Sequence, residues 1–139
     1  MIKKHGSAVW SGGLQGGKGT VSTQSGAIKG LPYGFDTRFE DAPGSNPEEL
    51  IGAAHAGCFA MALSNILGES DIVPDEIDAT STIHLSMEEG PRVVRAHLDV
   101  TITAAGDEDT IMKAAKAAES GCPISQLLDC EITMEARIG

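Results

Sequence analysis

The amino-acid sequence predicts an α+β fold in which helices pack against antiparallel sheet. Two observations carry that expectation. Apolar residues recur at three- and four-residue intervals after Asn46, the period of a helix, and an Ala-rich run follows Asp107. Between and beyond these stretches the period drops to two, at residues 77–87, 94–102 and 130–138, which is the period of a half-covered strand.

In chain order, residues 5–29 mix β-favouring Val9-Trp10 and Thr20-Val21-Ser22-Thr23 with Gly12-Gly13 and Gly16-Gly17, which reads as a small antiparallel meander. Residues 30–45 hold Pro32, Gly34, Pro43 and Gly44 beside the aromatic pair Tyr33 and Phe35, and read as a loop that covers a site. A helix starts at Asn46-Pro47-Glu48-Glu49: Asn46 can cap, Pro47 suits the first helical position and Glu49 can reach back. It is expected to run to about Gly68, with Leu50, Ile51, Ala54, Cys58, Ala62 and Ile66 on one stripe. Phe59, Met61 and Leu63 make its second half apolar nearly all round, so the helix is expected to be central, buried between two layers.

After Pro74, Ile77, Ala79, Ser81, Ile83, Leu85 and Met87 share one strand face. Gly90-Pro91 turns the chain, and Val94, Ala96, Leu98, Val100 and Ile102 repeat the alternation, giving an antiparallel hairpin. Residues 107–120 form the Ala-rich helix, with Gly121 at the position where a left-handed residue ends it. Cys122-Pro123 opens a further short helical turn. Cys130, Ile132, Met134, Ala136 and Ile138 alternate as a last strand.

At 139 residues the chain has the length of one domain, so a single domain over 1–139 is expected. A formal charge of −10 describes an acidic surface, which repels nucleic acid and anionic membranes. No stretch approaches the run of about 18 apolar residues a bilayer span needs, and Met1-Ile2-Lys3-Lys4 leads into polar residues. A cytoplasmic protein is therefore expected. Three cysteines are too few, and odd in number, for a secreted disulfide scaffold, so they are buried, metal-binding or chemically active. With 4 % aromatic residues the core is lean, and a lean core often leans on a partner chain.

Cys58, inside an apolar helix, could be a plain buried hydrophobe. Two observations favour chemistry instead. Cys122 precedes Pro123 at a helix start, so its sulfur lies near unpaired backbone N–H groups that favour a thiolate. Arg38 and Glu48 supply an anchored positive charge of the kind a buried thiolate needs. By this reasoning alone Cys122 is the more acidic thiol. Cys130 falls on the inward face of the last strand and reads as a core thiol. His55, three positions before Cys58, invites a His/Cys dyad or a zinc half-site with Cys122, but a His facing a partner surface is the preferred reading. An acyl-transferase using His55 and Cys58 lacks an evident oxyanion hole or third triad member. Lys18 stands in a glycine-rich stretch without phosphate-loop spacing, which reads as hairpin turns.

The stretches Gly17-Lys18-Gly19-Thr20-Val21-Ser22-Thr23, Pro32-Tyr33-Gly34-Phe35, Thr37-Arg38-Phe39-Glu40, Asn46-Pro47-Glu48-Glu49-Leu50-Ile51-Gly52-Ala53-Ala54-His55-Ala56 and Gly121-Cys122-Pro123-Ile124-Ser125 resemble the OsmC/Ohr family, its OsmC branch in particular, over essentially the whole chain. The resemblance implies a thiol-dependent peroxidase without cofactor or metal that acts on organic hydroperoxides in preference to hydrogen peroxide. It implies an intertwined homodimer with two sites at the interface. It makes Cys58 the attacking cysteine and Cys122 the resolving one, which close a disulfide, and it gives Arg38 and Glu48 the charged roles, although the Ohr branch carries its arginine in an earlier loop nearer Lys18. A dithiol reductant, possibly a lipoylated protein, would reopen the disulfide. Tyr33, Phe35, Phe39, Phe59 and Met61 would line an apolar pocket for such substrates. The competing reading is a non-catalytic zinc- or ligand-binding stress protein using the same thiols. Ten residues of helix place Glu48 and Cys58 roughly 15 Å apart along the axis, which favours a composite, two-fold site.

Overall fold

β-branched and aromatic residues separated by glycines build the first sheet. In the computed structural model, which describes residues 1–139, β1 (Gly6–Ser11), β2 (Lys18–Thr23) and β3 (Leu31–Tyr33) form an antiparallel sheet in the order β1-β2-β3. Gly19 is required on β2. Its missing Cβ would stand 2.5 Å from the ring of Tyr33 and 2.6 Å from that of Trp10, which pack with centroids 5.6 Å apart.

The segment 30–45, expected as loop, instead carries β3 and a short helix, α1 (Phe35–Phe39). Pro32 is tolerated because β3 is an edge strand. At the start of α1 the Thr37 hydroxyl bonds both the Gly34 N–H and the Gly34 carbonyl, each at 3.0 Å. The Asn46 cap forms as expected, its Oδ1 accepting from the Glu49 N–H at 2.9 Å, and α2 (Pro47–Gly68) follows. The Glu49 carboxylate meets the Asn46 side-chain amide rather than its backbone N–H.

The chain divides within α2 into two compact units, Met1–Leu50 and Ile51–Gly139. In the first, Gly19 alone is fully buried, and Val9 and Leu14 are 68 % and 65 % exposed. All fully buried apolar side chains belong to the second unit.

In the second unit α2 buries a single stripe, Gly52, His55, Phe59, Leu63 and Leu67. This corrects the expectation of a helix buried all round. It also moves the stripe: Ala54 is exposed, and Ile51, Cys58, Ala62 and Ile66 flank the covered face half-buried. A sequence apolar on every side carries no phase, so packing alone selects the face. At 22 residues α2 is also long and apolar enough to cross a bilayer by length and composition, contrary to expectation, yet its buried stripe joins a core with the strands and α3.

β4 (Glu76–Ser86) and β5 (Arg92–Thr103) form the expected antiparallel hairpin. A bulge leaves Val94 unpaired between Leu85↔Val93 and His84↔Arg95, so Val94, expected inward, is 44 % exposed. Ala96, Leu98, Val100 and Ile102 point into the core as expected and are fully buried. α3 (Glu108–Gly121) is capped by Asp107, which accepts from the Thr110 N–H at 3.0 Å. Gly121 is not left-handed. It remains helical, and the helix stops because Cys122 is extended, as a residue preceding proline prefers to be. After α4 (Pro123–Leu127), β6 (Glu131–Ile138) pairs with β5 in parallel, which corrects the expectation of a wholly antiparallel sheet. Alternation has the same period in both pairings. The helical crossover through α3 and α4 is long enough to return the chain to the end at which β5 begins.

Candidate active site

Two reduced thiols meet in the second unit. Cys58 projects half-buried from α2, and Cys122, fully buried, is the N-cap of α4. The Cys122 sulfur accepts from the Ser125 N–H at 3.4 Å and from the Ser125 hydroxyl at 3.5 Å. Burial alone would push this thiol up. Hydrogen bonds from Cys58, from the Ser125 side chain and from the backbone N–H groups of Ser125 and Ile124 outweigh burial and hold it below the ordinary thiol value. Burial pushes Cys58 up, and its bond to Cys122 raises it further, against one bond with the Ile124 backbone. The helix-start reading of Cys122 as the more acidic thiol therefore agrees with the geometry. Cys130 stands half-buried just before β6, outside the strand and the buried core where it was expected, and burial and Asp129 push it up.

His55 does not face outward, as expected, but is 0 % exposed. Its Nδ1 lies 2.6 Å from the Ser81 hydroxyl of β4 and its Nε2 lies 2.8 Å from the Ser125 hydroxyl of α4. Gly52 permits this approach, because a Cβ there would stand 2.7 Å from the Ser81 carbonyl oxygen. With both ring nitrogens taken by serines, His55 forms no dyad with Cys58 and has no free nitrogen for zinc. No group of three or more His, Cys, Asp or Glu side chains is placed to hold a metal ion. Ser81 and Ser125 are site residues that sequence reasoning missed. The available signal was Ser81 itself, the hydroxyl on an otherwise apolar strand face.

In the first unit Arg38 and Glu48 form a two-pronged ion pair, Nε to Oε1 at 2.9 Å and Nη2 to Oε2 at 3.1 Å. The Arg38 guanidinium also lies 5.1 Å from the centre of the Phe39 ring. A cavity of about 160 Å³ adjoins it, lined by Trp10, Leu14, Tyr33, Phe35, Arg38 and Phe39. Three of the aromatic residues expected to line a pocket do so. Phe59 instead belongs to the core, and Met61 stands 78 % exposed on α2. Lys18 lines a larger, more polar cavity of about 510 Å³ with Asp36 and Glu40.

Comparison with known proteins places the chain in a family. The family model described as OsmC-like protein matches residues 39–137. The chain is 46 % identical over 139 residues to "Peroxiredoxin OsmC" of Escherichia coli, covering 99 % of this chain and 97 % of that protein. It is 31 % identical over 96 residues to "Organic hydroperoxide resistance protein-like 2" of Staphylococcus saprophyticus, covering 68 % of this chain and 67 % of that protein. Among solved structures, the organic hydroperoxide resistance protein OhrB of Bacillus subtilis superposes with a TM-score of 0.68 at 18 % identity, over 97 % of this chain and 98 % of that one, a likeness of fold.

Proposed function

Because this chain belongs to the OsmC family, we propose that its peroxide-related redox function is that of a thiol peroxidase, reducing organic hydroperoxides to alcohols through Cys58 and Cys122. The observation that carries this reading is that Cys58 on α2 and Cys122 at the start of α4 lie near enough to shift each other's acidity. A Cys58 thiolate attacks the distal peroxide oxygen, the O–O bond breaks, and the alkoxide leaves as alcohol after taking a proton. Sulfenic acid remains on Cys58. The Cys122 thiolate then attacks that sulfur, the S–O bond breaks, hydroxide leaves as water after taking a proton, and a disulfide forms. A dithiol reductant, lipoylated protein being the kind we favour, returns both thiols.

No cation is among the groups that set the acidity of Cys58 within its own unit. The proposal gives that task to Arg38, oriented by Glu48. The apolar cavity beside Arg38 supports a substrate with a hydrocarbon tail. We further propose that residues 1–139 act as one OsmC-like domain in a cytoplasmic homodimer. Its support is the exposed apolar surface of the first unit and of α2, with Val9, Leu14 and Met61 all more than 60 % exposed in the single chain. Zinc binding by the same thiols is disfavoured because His55 is committed to Ser81 and Ser125.

The test is a single turnover. Reduced protein given about one equivalent of an alkyl hydroperoxide is expected to lose peroxide and yield a Cys58–Cys122 disulfide by non-reducing peptide mass spectrometry. Cys122→Ser should still consume one equivalent and stop at sulfenic acid, and Cys58→Ser should consume none. Unchanged thiols in the parent protein would end the peroxidase reading.

A further inference from the structure

We propose that His55 is a positioning residue for the resolving sulfur: through Ser125 it fixes the direction of a buried hydrogen-bond chain that runs Ser81 to His55 to Ser125 to Cys122. The role of the Cys122 thiolate in closing the disulfide rests on the peroxidase reading above, but the chain itself does not.

The direction follows from counting hydrogens. The Ser125 hydroxyl has one, and in the proposed chain it goes to the Cys122 sulfur 3.5 Å away. The same oxygen lies 2.8 Å from His55 Nε2, so Nε2 must carry the hydrogen of that bond. In a neutral imidazole Nδ1 then has only a lone pair, and Ser81, 2.6 Å away, must donate to it. Burial disfavours the imidazolium and so keeps the ring neutral.

The opposite tautomer has a definite consequence. With the hydrogen on Nδ1, Nε2 would accept, the Ser125 hydrogen would turn to it, and the sulfur would lose a donor. A serine hydroxyl donates or accepts, so Ser81 serves either tautomer and anchors the ring, and the bond between His55 and Ser125 sets how many hydrogen bonds stabilise a thiolate at Cys122. The groups facing that sulfur are Cys58 from α2 and Ser125 and the Ile124 N–H from α4. The α4 backbone donors do not depend on the tautomer, which makes the hydroxyl the adjustable part. A polar path inside an apolar layer needs such a reason, because packed hydrocarbon would fill the space without orphan donors.

The experiment titrates Cys122 as the sole thiol, in the Cys58→Ser/Cys130→Ser protein, by thiolate ultraviolet absorbance against pH. Ser125→Ala is expected to raise its midpoint by about one pH unit, tenfold less thiolate at a given pH, and Ser125→Thr to restore it. His55→Phe, which touches no sulfur but removes the donor to Ser125, is expected to shift the midpoint the same way, with His55→Gln, whose side-chain amide can donate in place of Nε2, restoring part of it. Nitrogen-15 spectra of His55 should report Nε2–H in the parent and again in Ser81→Ala, where a hydrogen on Nδ1 would have no acceptor. A midpoint unmoved by His55→Phe, or an Nδ1–H tautomer in the parent, would overturn the proposal even if Ser125→Ala shifts the titration. In the cysteine-complete protein, His55→Phe should slow disulfide closure about tenfold, read as the rate of sulfenic acid loss after the first peroxide is consumed. If the parent consumes no peroxide, the peroxidase reading fails, and the titration still judges the hydrogen-bond chain.

Discussion

Arg38 illustrates how one residue's geometry constrains its replacement. Its guanidinium meets both Glu48 oxygens, so Arg38→Lys would keep the charge but lose the fork. On the proposed role, that change should slow the first oxidation of Cys58 by at least about tenfold with little effect on folding, read by stopped-flow peroxide consumption and circular dichroism. His55 carries a pH signature. Burial lowers its pKa, so the unfolded chain binds a proton there more readily than the folded one. The stability it allows is complete above the ordinary imidazole value near 6.5 and declines as pH falls below it toward the lowered folded value. Urea midpoints should therefore fall between about pH 7.5 and 5.5, and His55→Gln should remove part of that slope. Cys58, Cys122, Arg38 and Glu48 drew their proposed roles from the resemblance to the OsmC/Ohr family, since Cys58 by itself reads equally as a buried hydrophobe. The orientation of His55 could not be read from the sequence, since nothing in an all-round apolar helix states which side is covered.

At the scale of elements, the helix starts were the legible part. Asn46, Asp107 and Cys122 all cap where local chemistry places them. Pairing direction, the Val94 bulge and the edge strand β3 were not legible, because each depends on chain partners distant in sequence. The seat of α2 on β4 is set by Gly52. Replacing it by Ala improves helix propensity by roughly 1 kcal/mol, yet its methyl would stand 2.7 Å from the Ser81 carbonyl oxygen. Net destabilisation of about 1–3 kcal/mol is expected by chemical denaturation, with His55 displaced from Ser81. Val94→Thr, at the bulge, should lie within about 0.5 kcal/mol of the parent.

For the whole molecule, the uneven distribution of the core is the main fact: the first unit and one side of α2 keep apolar side chains open in the single chain. The proposed homodimer would cover them. Met61→Lys should then favour monomer, read by light scattering after size-exclusion chromatography, and lower the urea concentration at which the protein loses its fold. A last consequence follows from where the two thiols lie in the chain. If they join, the bond closes a covalent ring of about 65 residues that encloses β4, β5 and α3 and leaves β6 outside, and a ring of that size removes about 4 kcal/mol of freedom from the unfolded chain. Each encounter with peroxide would then staple the fold, each reduction would release it, and a melting curve would register the oxidant history of the sample.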